Sequence, residues 1–409
     1  MTKVSVSGLG KAGLPLCAVL AEAGHTVYGV DVSPQVVEKI NKGQCPVSGE
    51  PGLPEALEKH GGKNIQATTN AKKAAQETDV HIIIVPLFLD ENHKPDYKNI
   101  DEASEKIGQG LKKGDLVVLE TTVPVGTTKG RLKNKLEALS GLKAGQEFHL
   151  AYSPERIMTG YSLDRFKRFP KIVGGLDDKS TEKAHKFYSS FCENVSKATD
   201  TETAEYTKII EGVYRDVNIA LANELFKTAE TLGIDFWEAR EAANHKYCEI
   251  HEAGLGVGGH CIPVYPHFLI DAVKDAKQKA VLTKTARDIN ESMAQYFSEK
   301  IIGGKQGTPG KCRVAVIGLT YREGVDETHN TPSKKLIQLL KKEGCKVYGV
   351  DPLIPSQRIE DEFGVEAYEG EDFNEFDFAV LVNKEEKYLE ALNAAENVSV
   401  IYCKNQLKK

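Results

Sequence analysis

The run Gly254 to Pro266, GLGVGGHCIPVYP, sets a single cysteine, Cys261, at the end of a glycine cluster. A loop with so little side-chain bulk lets a substrate and its own backbone come close to the thiol. A glycine loop built around a thiol reads as a covalent-catalysis site. On its own the loop leaves open the other reading, an inert buried cysteine. Gly254, Gly256 and Gly259 also fall at G-x-G-x-x-G, the spacing of a dinucleotide fingerprint. Here the spacing misleads. The preceding YCEIHEA is too polar for a buried strand, and Pro263 and Pro266 argue against a turn from glycine into helix.

The fingerprint that fits lies at the start of the chain, in KVSVSGLGKAGLPLCAVLAEAGHTVYGVD. A short apolar strand runs into Gly8, Gly10 and Gly13, an amphipathic helix follows, and a second strand ends in Asp31. Gly8 permits the tight turn, Gly10 lets backbone reach a pyrophosphate, and Gly13 lets helix pack on sheet. The helix N-terminus offers N–H groups and partial positive charge to phosphates. Asp31 can accept hydrogen bonds from ribose hydroxyls and would repel a 2′-phosphate, which favours NAD over NADP.

The elements that must position these groups repeat. RVAVIGLTYREG followed by KKEGCKVYGVD repeats the strand, glycine turn, helix, strand and acid of the first copy, ending at Asp351. The second copy keeps Gly318 but has Thr320 at the second fingerprint glycine, so it reads as a Rossmann-like unit that does not hold a dinucleotide in the usual way. GGKQGTPGK, residues 303 to 311, reads as the linker before it. VHIIIVP, DLVVLETTV, FHLAYSPE and KIVGG continue the first sheet, and FDFAVLV and VSVIYCK the second. Such near-continuous apolar runs suit parallel strands covered on both faces. Between the halves, residues 201 to 233 contain no proline, with Ile209, Val213, Val217, Ala220 and Leu221 at helical spacing. That predicts a long central helix able to form a dimer interface. On another face Lys208, Gly212 and Arg215 line up. The spacing alone favours a solvated charged face there.

The 409 residues exceed one core and predict two or three domains. A net charge of −6 without a basic block gives no reason to expect nucleic acid or anionic lipid. No apolar run is long enough to span a membrane, and the first strand leaves no room for a cleaved signal. The eight cysteines show no CxxC pair and no metal-ligand spacing, which predicts reduced thiols, no metal and a cytoplasmic protein.

Together these motifs resemble the UDP-sugar 6-dehydrogenases, which oxidise C6 of a nucleotide sugar to the uronate with two NAD. The resemblance runs the length of the chain. It is carried by GLGKAGLP, ETTVPVGT at 120 to 127, SPERIMTG at 153 to 160, AEYTKIIEGVYRDVNIALANE at 204 to 224, GVGGHCIP at 256 to 263 and GLTYREGVDETHNTPS at 318 to 333. The YRDVNIALANE wording looks like the branch acting on UDP-N-acetylhexosamines, with UDP-N-acetyl-D-mannosamine the implied substrate and surface polysaccharide the implied destination. The fold implied is α/β: an NAD-binding Rossmann domain over 1–200, a central helical dimerisation region over 201–302 and a UDP-binding Rossmann-like domain over 303–409.

The resemblance also implies roles. Cys261 would carry a thiohemiacetal and then a thioester. Lys208 would stabilise oxyanion charge, Glu155 would help activate water, and Thr122 would hold that water or the nicotinamide. Lys11 and Ala12 would join Gly8, Gly10, Gly13, Asp31 and Thr122 around NAD, with His329 standing where an arginine is usual. Arg156, Ile157, Lys208, Arg215 and Gly258 would surround the sugar, and Tyr321 and Arg322 the UDP side. His245 would come from the neighbouring subunit of a homodimer. Departures from the family wording are Tyr265 for an aspartate just past the cysteine, Gly212 for an asparagine four residues after the lysine, Thr159 for a second acid, and Leu87 for a threonine. They leave two alternatives beside the first reading: the same chemistry on UDP-GlcNAc or UDP-glucose, or a nucleotide-sugar-binding protein without turnover.

Overall fold

The computed structural model describes residues 1–304 and 312–404. The chain divides into two compact units, Met1–Ile210 and Glu211–Lys409. In the first, the predicted apolar runs become strands: β1 (Lys3–Ser7), β2 (Thr26–Val30), β3 (Ile65–Thr68) and β4 (Val80–Ile83). A two-residue pair, β5 (Phe88–Leu89) and β6 (Pro95–Asp96), forms a small antiparallel ribbon. Then come β7 (Leu116–Leu119), β8 (His149–Tyr152), β9 (Lys171–Gly175) and β10 (Val195–Lys197). The main sheet has the order β10-β9-β8-β7-β4-β1-β2-β3. Its pairs are parallel except β8 with β9, which run antiparallel, so the expected all-parallel sheet turns once near its far edge. β4 and β7 are buried at every position, as apolar runs under helices on both faces must be. Helix Gly13–Glu22 is buried from Gly13 to Ala21 and packs on this sheet.

The second unit repeats the plan. Strands β11 (Arg313–Ile317), β12 (Lys346–Val350), β13 (Glu366–Ala367), β14 (Phe378–Leu381) and β15 (Ser399–Tyr402) order as β13-β12-β11-β14-β15, all parallel. In both sheets the first strand of the copy sits where strand order reverses. In open α/β sheets that is the crevice in which ligands bind. The proline-free segment is one helix, Thr201–Leu232. Phe226, Phe236, Met293, Phe297 and Ile301 share one core with Val314, Val316 and Leu336, so the helical residues of this unit and its sheet are a single hydrophobic body.

Of the expected linker, Gly303 ends helix Val281–Gly303 and Gly304 caps it, while residues 305–311 lie outside the described residues. Cys312 and Cys345 are joined in a disulfide, with Cα atoms 4.8 Å apart, contrary to the expectation that every cysteine is reduced. They flank the paired starts of β11 and β12, and parallel pairing brings them side by side. No helix among the described residues is long and apolar enough to cross a membrane.

Candidate active site

The turn after β1 is built as the fingerprint requires. Gly8 has φ 102°, and a Cβ there would stand 3.0 Å from the Ile84 carbonyl oxygen. A Cβ on Gly13 would stand 1.8 Å from the Gly8 carbonyl oxygen, so helix and turn meet only because both are glycine. Around Gly10 nothing lies within 4 Å of a Cβ position, which leaves the approach open that a pyrophosphate needs. Ala12 sits at the N-cap without a side-chain cap, the first helical turn carries no acid, and Lys11 is exposed beside it. Asp31 accepts N–H bonds from Leu9 at 3.0 Å and Ser33 at 2.9 Å, which aim its carboxylate at the mouth of the turn. These residues fit NAD.

Two loops at the ends of β7 and β8 bring Thr122 and Glu155. Beneath them lies a buried pair that sequence reasoning missed. Lys171 Nζ donates to Glu120 Oε2 at 2.7 Å and to the Pro154 carbonyl at 3.2 Å, and the Tyr188 hydroxyl donates to the other oxygen of Glu120. Glu120 opens the ETTVPVGT segment and Pro154 precedes Glu155, so one ion pair ties both loops together. The Glu155 N–H also donates to the Glu120 carbonyl at 3.1 Å. The Glu155 carboxylate turns back onto the Ile157 N–H. Arg156 donates to the Pro170 carbonyl at 2.8 Å with its guanidinium over the Phe169 ring at 4.8 Å, so the loop's own neighbours hold it.

Glu205 was missed too. It is fully buried near the start of the long helix and accepts the N–H groups of Gly126 at 2.6 Å and Thr128 at 2.8 Å. Burial pushes its carboxyl up to about 7, against the downward pull of those donors. Tyr152, also fully buried, has its phenol pushed well up, first by burial and then by the charge of Glu205. Lys208 is half-buried one turn further along the helix. The signal available in sequence was only an acid three residues before a lysine.

In the second unit the thiol loop is irregular from Gly254 to Val264, with no strand before it, as its polar lead-in predicted. A helix does follow, Tyr265–Ala272, against the expectation drawn from the prolines. Pro266 falls in its first turn, where a missing N–H costs nothing. Cys261 is half-buried just before that helix, and its carbonyl accepts the N–H groups of Val264 at 3.1 Å and Tyr265 at 3.0 Å. A Cβ on Gly258 would stand 2.6 Å from Tyr321 Cβ, and one on Gly259 3.0 Å from the Tyr321 ring. So the glycines admit the Tyr321 side chain beside the thiol. Burial raises the Tyr321 phenol, followed by the charge of Glu327, with Arg322, Cys261 and Arg215 also in reach. His329 accepts the Gly259 N–H at its carbonyl, 2.9 Å, and stacks on His260 with centroids 3.9 Å apart. His260 in turn pairs with Glu327.

Residues 2–192 match the NAD binding domain of the UDP-glucose/GDP-mannose dehydrogenase family, 202–292 its central domain and 315–408 its UDP binding domain. The chain belongs to that family. A relative from Methanocaldococcus jannaschii, named UDP-N-acetyl-D-mannosamine dehydrogenase, is 36% identical over 379 residues, 90% of this chain and 84% of the relative. The structure of the UDP-D-ManNAc dehydrogenase of Pyrococcus horikoshii matches with TM-score 0.88 at 29% identity, over 100% of this chain and 96% of that one. A UDP-glucose dehydrogenase from Pyrobaculum islandicum matches with TM-score 0.87 at 26% identity, over 99% and 94%. The resemblance seen in the motifs therefore holds, and with it the NAD cofactor and a dehydrogenase.

For this family member the structure gathers Cys261, Gly258, Tyr321, Arg322, Arg215 and His329 in the second unit. Gly8, Gly10, Lys11, Ala12, Gly13, Asp31, Thr122, Glu155, Arg156, Ile157 and Lys208 belong to the first. His245 is exposed in a tight turn, exchanging backbone hydrogen bonds with Cys248 at 2.9 Å each. The two departures Gly212 and Tyr265 prove to be neighbours. A Cβ on Gly212 would stand 2.8 Å from Tyr265 Cδ2, and the ring is 8% exposed.

Proposed function

We propose that this chain oxidises C6 of a UDP-N-acetylhexosamine, UDP-N-acetyl-D-mannosamine, from primary alcohol to carboxylate, with two NAD reduced and one water consumed. The observation that carries the reading is the half-buried Cys261 in a glycine loop opened for Tyr321, with Arg215 in electrostatic reach. Bound NAD supplies the hydride acceptor for both oxidations. Lys208 holds positive charge against the developing alkoxide of the first. Cys261 Sγ then adds to the aldehyde carbon, and loss of hydride from that thiohemiacetal leaves a thioester. Glu155 takes a proton from the water that Thr122 holds. That water adds to the thioester carbonyl, and the Cys261 thiolate departs. Hydrolysis makes the sequence irreversible.

The guanidinium of Arg215 suits an N-acetyl carbonyl or a phosphate, since it offers donors in a fixed fork. Tyr321 and Arg322 take the UDP side. Because Arg156 already serves Pro170 and Phe169, its part in sugar binding is as a wall beside Ile157. His329 stands in the sequence where the family carries a cofactor-contacting arginine and would take that part. The working unit is a homodimer in the cytoplasm. Tyr206, Ile210, Tyr214 and Leu221 are exposed along the long helix and suit a second copy, which would also bring His245 to the sugar. The three family segments, with boundaries near 200 and 302, would act as cofactor, dimerisation and nucleotide domains.

The test is NADH formation from UDP-ManNAc, UDP-GlcNAc and UDP-glucose, counted per sugar consumed, with Cys261→Ala alongside. Two NADH per UDP-ManNAc, and no uronate from the variant, is the expected result. Preference for another sugar would overturn the branch and keep the chemistry. Binding of UDP-sugars without any NADH would overturn the enzyme reading.

A further inference from the structure

We propose that Glu205 is a positioning residue that clamps the Thr122 loop to the helix carrying Lys208, through the backbone N–H groups of Gly126 and Thr128. The assignment of Thr122 and Lys208 to the reaction rests on the reading above; the clamp itself rests on geometry. Both carboxylate oxygens are used, one per amide, at 2.6 and 2.8 Å. The side chain is fully buried, so nothing but this loop and its surroundings receives it. The loop is further fixed by Thr127 Oγ1 donating to the Pro124 carbonyl at 2.6 Å and Thr121 Oγ1 to the Val85 carbonyl at 2.6 Å. These bonds tie the loop to itself and to the strand ends. Glu205 ties it to the helix. Lys208 stands three residues on, about one turn away on the same side. A shift of the clamp therefore moves Thr122 relative to Lys208.

The clamp is linked to protons. Facing Glu205 are Tyr152 from β8 and Glu202 from its own helix, the latter paired with Lys129 at 2.8 Å. No cation faces the carboxylate directly among these, and burial outweighs the amide donors. Any opening of the loop that lets water reach the carboxylate is favoured when it is ionised. The loop therefore closes best with Glu205 protonated and loosens as pH rises from about 4.5 to about 7.

The experiment uses the full chain, with Glu205→Gln and Glu205→Asp. Hydrogen exchange at the Gly126 and Thr128 amides, corrected for intrinsic rates, is followed from about pH 4.5 to 8. Protection in the unaltered protein falls by up to about tenfold per pH unit between about 4.5 and 7 and levels off above that, and in the Gln variant it does not change with pH. The Asp variant keeps the charge but lacks the reach. Its kcat on UDP-ManNAc falls about 10- to 100-fold, with KM within about twofold. Protection independent of pH in the unaltered protein, or wild-type kcat in the Asp variant, would overturn the clamp. If no UDP-sugar is turned over, the reaction assigned above fails. The exchange data then still decide whether the clamp exists.

Discussion

Replacing Gly212 by alanine tests whether the two departures in the long helix and the thiol loop are one packing feature. On propensity alone the change should stabilise, because alanine is favoured over glycine in a helix interior by about 1 kcal/mol. The structure opposes it. The new methyl would lie 2.8 Å from Tyr265 Cδ2, 3.0 Å from its Cβ and 3.3 Å from its Cγ. The near end of the ring cannot swing away as the tip of a lysine could, and overpacking of this kind costs about 1–3 kcal/mol. The sum is a loss of about 1 kcal/mol, or roughly 2–4 °C in the melting of a unit this size. The decisive arm is the double mutant. With Tyr265→Ala the contacts to Cδ2 and Cγ are gone and only Cβ at 3.0 Å remains, so adding Gly212→Ala should cost about 1 kcal/mol less than it does beside the tyrosine. Urea unfolding of the four proteins measures this. Because the Tyr265 N–H bonds the Cys261 carbonyl, iodoacetamide labelling of Cys261 should also change in the Gly212→Ala single variant. Stabilisation by Gly212→Ala in the otherwise unaltered protein would refute the contact.

Other changes follow from the buried groups. Lys171→Met leaves Glu120 buried without its cation and should cost about 3–5 kcal/mol; adding Glu120→Leu should recover most of it, and urea midpoints that show no recovery would count against the pair. Gly13→Ala sets a methyl 1.8 Å from the Gly8 carbonyl oxygen, so calorimetric titration should find no NAD binding; affinity within tenfold of the original would be inconsistent with the turn described. Glu205 has a folded value of about 7 against an ordinary 4.5, so its contribution to stability is complete below about 4.5 and lost as pH rises through 7. Glu205→Gln should therefore flatten the fall in unfolding free energy between about pH 4.5 and 7. Reducing the Cys312–Cys345 bond, which closes a separation of 33 residues, should lower the stability of the second unit by about 4 kcal/mol on the chain-entropy account. An unchanged denaturant midpoint after reduction would contradict that.

What could be read from sequence was what has a period or a spacing. Apolar runs under two helical layers became β4, β7, β11 and β14, and an unbroken 3.6-residue pattern became the helix Thr201–Leu232. Gly8 and Gly13 were legible because a known turn demands them. The antiparallel step from β8 to β9 was not, since an apolar run carries no direction. Glu120 and Lys171 lie 51 residues apart, and Gly212 meets Tyr265 across two helices, so no local pattern announces either. Each looked in sequence like an isolated residue or a departure. The prolines of the thiol loop misled for a different reason. Proline forbids helix interiors but suits a first turn, and only the structure tells which turn Pro266 occupies.

The two copies of the turn show how one dinucleotide site persists while its double does not. The framework is the same in both. Gly8 donates to the Val30 carbonyl at 2.8 Å and Gly318 to the Val350 carbonyl at 2.9 Å; Leu9 donates to Asp31 at 3.0 Å and Leu319 to Asp351 at 2.7 Å. The acid at the end of the second strand is thus first of all a brace for its own turn, in both copies. The difference lies one residue on. Nothing stands near the Cβ position of Gly10, whereas Thr320 is fully buried, donates its N–H to Asp351 at 3.2 Å and its hydroxyl to the Arg322 carbonyl at 3.1 Å. An N–H committed to a carboxylate is lost to a phosphate, and a buried side chain closes the approach a glycine would leave. Asn383 completes the closure, donating to the Thr320 carbonyl at 2.6 Å from the end of β14. The second turn has therefore become structural, and it hands the residues beyond it, Tyr321 and Arg322, to the thiol loop. The second turn is here a support beside which Cys261 is presented, through Tyr321 against Gly258 and Gly259.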